Sequence, residues 1–257
     1  MSHLLDLIFP RTCPGCGELI RFRGFYPGEP EVFCPDCAPR WEDVGKEACG
    51  ICAKPVSRCT CMPGPMKKAK IAGFCKLTYY HPDRQEHLEN RVIYRLKNDS
   101  DTVMIRLLAR ELEGSIRSAC GQIGFSPEEC IVTYLPRGRA AVLKSGRDQA
   151  KLIASALAER LGVPMLRMID RSFLRGGRSQ KRLIYRERLR NVRESFRLRG
   201  AERVRGKYVL LVDDLVTTGA GMEVGASLLR RAGAKKILSV AVASDVENRY
   251  PEKEGSS

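Results

Sequence analysis

Residues 210–221, LLVDDLVTTGAG, hold the densest chemistry in this 257-residue chain. An apolar run ends in Asp213 and Asp214, and a short loop then passes through Val216, Thr217, Thr218, Gly219, Ala220 and Gly221 into an amphipathic segment. A buried strand would deliver both carboxylates to its carboxyl end. The helix that follows would turn unpaired amides and the positive end of its dipole toward one point, which suits a phosphate monoester. Threonine hydroxyls add donors, and the glycines let backbone approach a ligand with no Cβ in the way. The two acids suit ribose hydroxyls or a hydrated divalent ion. An arbitrary Asp-Asp after a strand is ordinarily a solvated turn and helix cap; the flanking apolar run and Thr-Thr-Gly set this one apart. The expected ligand is a 5-phosphorylated sugar. A P-loop is excluded because no Gly-Lys-Ser/Thr follows, and a dinucleotide fingerprint because Gly-x-Gly-x-x-Gly is absent.

A second anion-binding candidate is PRGR at 136–139, directly after the apolar run CIVTYL. A Pro-Gly turn exposes amides there, and Arg137 and Arg139 could make bidentate, charge-assisted bonds to a diphosphate. The alternative is a surface turn with solvated arginines.

Eight of the eleven cysteines lie between positions 13 and 61. Cys13 and Cys16 with Cys34 and Cys37 form two C-x2-C knuckles, a tetrahedral zinc pattern. Cys49 and Cys52 with Cys59 and Cys61 form a second set with a tighter second pair, so one or two structural zinc ions are expected. Four protein ligands leave no open position, so this metal would fold the module rather than catalyse. Cys75, Cys120 and Cys130 read as core residues. His3, His81 and His87 show no ligand spacing and receive no role.

The elements that must position these groups follow from periodicity. Residues 1–65 are rich in Cys, Pro and Gly and read as a zinc ribbon module, double if the second cysteine set also holds an ion. Residues 66–257 read as an α/β domain, with strands expected at 71–80, 130–135, 207–214 and 235–244, and a further short one at 163–169. Helices are expected at 86–97, 102–118, about 148–161 with Gly162 as its C-cap, 179–192, and after Thr217. No internal repeat or low-complexity tract is evident. The alternation predicts an open parallel sheet with helices on both faces and a ligand crevice at the carboxyl ends of its strands.

The net charge of +15 is concentrated in 171–207, where 14 Lys/Arg face 3 Asp/Glu. This segment could neutralise nucleic-acid phosphates, single-stranded DNA included, or a polyphosphorylated small molecule. Aromatic residues are 7% of the chain and are not interleaved with it, so no base-stacking platform is evident there. There is no apolar run long enough to span a membrane and no leader pattern, and a cytoplasmic location is the default expectation.

The 210–221 segment closely resembles the phosphoribosyl-diphosphate signature of type I phosphoribosyltransferases. YRLKND at 94–99, TYLPRGRAAVLKSGRDQAKLIASALAERLG at 133–162 and RSQKRLIYRERLRNVRESF at 178–196 are similar to the ComF family, competence-associated proteins that join a zinc ribbon to a phosphoribosyltransferase domain. With the cysteines, the likeness extends over nearly the whole chain. That family usually reads Gly-Phe-Asn/Asp-Gln where this chain has Gly146, Arg147, Asp148 and Gln149. Lys97 matches the lysine of the family's Leu-Lys motif, and a helix dipole equally explains a lysine at a helix end.

The resemblance implies binding of phosphoribosyl diphosphate with Mg²⁺, an unknown acceptor, and partners in a DNA uptake system. Asp213 and Asp214 would manage ribose and metal, residues 216–221 would cradle the phosphate, and Arg137, Arg139 and basic groups of 171–190 would attend the diphosphate, the latter as a flap. The alternative is a nucleic-acid-binding factor for DNA uptake or processing that keeps a non-catalytic sugar-diphosphate site.

Overall fold

A computed structural model of the protein describes residues 10–20, 31–98, 101–138, 142–143, 146–171 and 195–245. Arg139, most of the basic segment 171–207 and the helix expected at 179–192 lie outside the described residues.

Four parallel strands form the central sheet: β1 (Gly73–Tyr80), β2 (Cys130–Tyr134), β5 (Tyr208–Val216) and β6 (Lys236–Asp245), in the order β1-β6-β5-β2. Side chains of β5 alternate between two apolar layers. Val209 and Leu211 face one cluster, while Leu210 and Val212 face the other. This period-2 alternation, with apolar residues on both sides, is what a central parallel strand requires, because crossover helices cover both faces.

One layer is covered by α3 (Leu88–Asn98), α4 (Thr102–Ile123) and α5 (Gln149–Leu161). On α4, Ile105, Leu108, Leu112, Ile116 and Ala119 recur at helical spacing and are buried. Asp101 caps its start by accepting from the Val103 N–H at 3.0 Å, and Gly124 closes it in the left-handed region. The opposite layer holds α2 (Gly64–Lys68) and α6 (Ala220–Arg231). Two short strands, β3 (Ile169–Arg171) and β4 (Phe196–Leu198), pair antiparallel.

The strand expected at 163–169 is realised only in part. Met165 makes a single parallel bridge to Val132 beside β2, and regular pairing begins at Ile169. The chain here contributes two backbone contacts, Val132 N–H to Pro164 C=O and Leu166 N–H to Val132 C=O, before turning away to meet β4.

The cysteine-rich residues pack directly on the α/β unit. Phe33 stacks on Trp41 of α1 (Cys37–Asp43) at 5.0 Å, and the Trp41 indole donates to both carboxylate oxygens of Glu111 on α4, at 2.8 and 3.1 Å. Arg91 of α3 donates to the Gly15 carbonyl at 3.1 Å.

Candidate functional site

All eleven cysteines are reduced, and the eight from Cys13 to Cys61 gather into the two sets their spacing predicts. Within each set the four sulfurs lie within 4.8 Å of one another. Cys16 Sγ to Cys34 Sγ is 3.6 Å and Cys52 Sγ to Cys59 Sγ is 3.5 Å, far outside disulfide bonding and near the edge of a tetrahedral thiolate site.

The two leading knuckles share one hydrogen-bond pattern. Cys13 N–H donates to Glu18 C=O and Cys49 N–H to Lys54 C=O, while Gly17 N–H and Ala53 N–H donate back to the first cysteine of each. This repeat is hidden in the sequence because the turn residue differs: Gly17 has φ +84°, and Ala53 takes the same left-handed region at +58°. Burial raises the Cys13 thiol, but amides of Cys34, Cys16 and Gly15 outweigh it and lower it to about 7. Burial likewise opposes, without overcoming, the donors that lower Cys49 to about 6. A fully buried lysine, Lys76 of β1, faces the second set: its Nζ is 3.0 Å from the Cys61 carbonyl and 3.7 Å from Cys59 Sγ. Burial raises the Cys59 and Cys61 thiols, and the Lys76 charge opposes that rise at Cys59. Cys75, Cys120 and Cys130 are buried apart from both sets, and burial pushes the Cys75 thiol up to about 12.

The second site lies at the carboxyl end of β5. Asp213 accepts from the Asp214 N–H at 2.9 Å, and Asp214 accepts from the Leu215 N–H at 2.9 Å, so both carboxylates are fixed by their own backbone. Burial, then the charge of Asp214, holds the Asp213 carboxyl well above its usual range. The loop continues through exposed Thr217 and half-buried Thr218 to Gly219, the N-cap of α6. Gly219 has φ +76°, and a Cβ there would meet Met66 and Pro63 at 3.0 Å, so the position excludes a side chain on both conformational and steric grounds. Helix α6 thus begins where the sequence requires. Its first amides have no intrahelical acceptors, and Thr218 Oγ1 takes the one of Ala220 at 3.4 Å.

The facing wall comes from the end of β2 and the start of α5. Leu135 N–H bonds to Val212 C=O at 2.9 Å, which sets Pro136, Arg137 and Gly138 beside the two acids. Asp148, the N-cap of α5, accepts from the Arg137 N–H at 3.2 Å and the Lys151 N–H at 3.4 Å. Burial raises its carboxyl, and the charge of Asp214 adds to the rise. The Arg137 guanidinium donates to Gln149 Oε1, and Gln149 Nε2 in turn donates to the Lys97 carbonyl at 3.1 Å. Arg171 stands 3.9 Å from where a Gly138 Cβ would be; burial lowers its guanidinium, and Asp213 opposes that. Three carboxylates and two guanidiniums therefore gather at the carboxyl ends of β2 and β5.

Residues 143–256 match the family described as the phosphoribosyl transferase domain. That stretch, which holds β5 and β6 of the parallel sheet, is phosphoribosyltransferase-like. Over 226 residues, 88% of this chain and 86% of the relative, it is 27% identical to the DNA utilization protein YhgH of Salmonella typhi. The likeness to the ComF family drawn from the sequence holds. Among solved structures, the allosteric regulatory enzyme of purine biosynthesis aligns at 19% identity and TM-score 0.33, over 58% of this chain and 26% of that one. Purine phosphoribosyltransferase from Pyrococcus horikoshii Ot3 aligns at 21% and 0.30, over 55% and 69%.

The phosphoribosyl transferase domain supplies Asp148, Gln149, Arg171, Asp213, Asp214 and the 216–221 loop, whereas Arg137 precedes the matched span. Sequence reasoning singled out Asp213, Asp214 and Arg137 and placed Arg171 only within a basic run. It missed the acidic role of Asp148 and the bridging role of Gln149; Asp148 after Gly146 was the available signal, as a helix cap opening beside PRGR. Next to the domain's crevice, a cavity of about 670 Å³ is lined by the first knuckle and by Tyr80, Tyr94, Arg91, Arg95 and Lys97. No described helix is long and apolar enough to cross a membrane.

Proposed function

We propose that the crevice binds phosphoribosyl diphosphate with Mg²⁺ and transfers its phosphoribosyl group to an acceptor held in the neighbouring cavity. The observation that carries this reading is the gathering of Asp148 with Asp213 and Asp214, close enough for charge to raise the Asp148 and Asp213 carboxyls, at the strand end that leads through Thr217 and Thr218 into the Gly219-capped helix. The 5-phosphate rests on Thr217, Thr218 and the first amides of α6, and Asp213 and Asp214 accept from the ribose hydroxyls. These hard oxygen donors fit Mg²⁺, which would neutralise charge on the departing diphosphate when bound. Arg137, with Arg139 and the basic groups of 171–190, stabilises the same charge. In the reaction the C1–oxygen bond breaks with its electron pair leaving on diphosphate, and a nucleophilic atom of the acceptor bonds to C1. No covalent enzyme intermediate is needed.

The cysteine sets fit zinc, and we assign each a structural ion. Four thiolates per site leave a charge of about −2, and Lys76 offsets part of it at the second.

Use with DNA is a second reading favoured by the cavity. Tyr94 is 69% exposed there beside Arg91, Arg95 and Lys97, a combination of aromatic face and cations that suits a nucleotide or a single strand. The relative's name, a DNA utilization protein, accords with it. Lys97 and Gln149 connect this cavity to Arg137.

Calorimetric titration of phosphoribosyl diphosphate in the presence of Mg²⁺ tests the main reading. Wild-type protein is expected to bind, and an Asp213→Ala/Asp214→Ala double variant to lose binding while keeping its fold. Unchanged affinity in the double variant would refute it. For DNA, an affinity that falls steeply with salt and weakens on Tyr94→Ala supports the second reading; indifference to both opposes it.

A further inference from the structure

The loop joining β1 to α3 gathers two histidines around one carboxylate. His81 Nε2 and His87 Nδ1 lie 3.7 and 2.9 Å from Oε1 of Glu89, with ring centroids 5.1 Å apart. A second carboxylate, Glu47 Oε2, is 3.3 Å from His81 Nε2. We propose that His81, His87 and Glu89 form a third metal site, for a divalent cation of the zinc class, separate from both cysteine sets and independent of the sugar-phosphate reading.

The geometry and the donor chemistry agree. Ligand atoms about 2.1 Å from a tetrahedral ion stand about 3.4 Å from one another. The observed 2.9 and 3.7 Å lie on either side of that spacing, and the three ligand groups fall within 4.8 Å of one another. Two imidazoles and a carboxylate select zinc, cobalt or nickel over the oxygen-seeking magnesium and calcium. Three protein ligands leave a coordination position for water, so this cation exchanges more readily than one enclosed by four thiolates.

The loop holds this arrangement without help from the ligands. Buried Asn90 accepts from the His81 N–H at 3.0 Å and donates to the carbonyls of His81 and Arg84, at 2.5 and 2.6 Å. Arg84 N–H donates to His81 C=O, and His87 N–H to Arg84 C=O, at 3.0 and 3.1 Å. Both histidines are therefore carried on a closed turn clamped from α3, and little ordering remains for the metal to impose. The sequence conceals the site because His81-x5-His87-x-Glu89 matches no helical or knuckle spacing.

The position gives the cation a role. Gln85, Asn90 and Arg91, on the same loop and helix, line the 670 Å³ cavity. Glu47 lies two residues before Cys49 of the second cysteine set. The cation would fix the cavity wall against the cysteine module.

Cobalt titration of the full chain, its cysteine sites already filled with zinc, tests the proposal. One equivalent of Co²⁺ is expected to bind with a weak visible ligand-field band and no thiolate charge-transfer absorption. That equivalent is expected to vanish in His81→Gln/His87→Gln and to persist in Asp213→Asn, which separates it from any ion at the sugar-phosphate crevice. Equal cobalt binding by wild type and the double histidine variant overturns the site, as does absence of the band, which would mean that the imidazoles are simply paired with Glu47 and Glu89. Should the double variant fail to fold, Glu89→Gln takes its place: retained binding contradicts the proposal and lost binding supports it.

Discussion

Asp213 is expected to cost the ligand-free protein stability at neutral pH. Its carboxyl is raised in the folded state by burial and by Asp214, so the native protein holds this proton more tightly than the unfolded chain does. Stability is then greatest below the unfolded carboxyl value and declines as pH rises toward the folded one. Asp213→Asn keeps an oxygen to accept the Asp214 N–H and removes the charge. At neutral pH, without ligand, this variant is expected to melt higher than wild type by differential scanning fluorimetry. The gap should narrow as pH falls into the carboxylate range, and an equal or lower midpoint at neutral pH would be the wrong sign. Ala53 carries backbone strain, held at φ +58° where its counterpart is Gly17. Ala53→Gly is expected to gain about 1 kcal/mol in chemical denaturation of the metal-loaded chain. Legibility at this scale followed contiguity. Asp213, Asp214 and the eight cysteines sit in short motifs whose spacing is itself the signal. Asp148 and Gln149, at the start of α5, and Arg171, at the end of β3, come to the acids of β5 from other elements, and His81, His87 and Glu89 meet only because Asn90 folds their loop.

At the scale of elements, the start of α6 decides whether an anion has a seat. Gly219 serves this helix through a left-handed φ and through contact with Met66 and Pro63. Gly219→Val is expected to weaken phosphoribosyl diphosphate binding at least tenfold, about 1.4 kcal/mol, measured calorimetrically beside a circular dichroism control. Full affinity would place the phosphate elsewhere. Helix α5 makes a parallel case. Asp148→Ala removes its cap and the acceptor for the Arg137 N–H, with an expected cost of about 1 kcal/mol in stability. The strands and helices of the domain were legible because apolar residues recur with period 2 or 3.6 and because Asp101, Asp148, Gly124 and Gly162 punctuate them. Residues 163–171 were less so, since one short run is shared between a single bridge to β2 and the pairing with β4.

Over the whole molecule, the cysteine modules and the phosphoribosyl transferase domain are joined through buried polar contacts. Lys76 runs from β1 to the second cysteine set, and Trp41 reaches Glu111, whose carboxyl burial raises. Metal removal is therefore expected to be felt beyond the ligands. Stripping with a strong chelator should lower the melting temperature and increase hydrogen exchange in β1 and α4 as well as in the knuckles; exchange confined to the knuckles would mean that the two parts are uncoupled. Everything proposed for the crevice depends on a sugar phosphate seated at the start of α6. A crystal structure of the protein with phosphoribosyl diphosphate and Mg²⁺ tests it most directly. The 5-phosphate is expected against Thr217, Thr218 and the Ala220 and Gly221 amides, with Asp213 and Asp214 on the ribose. A ligand bound away from α6, or an α6 that stays bare at saturating ligand, would contradict it.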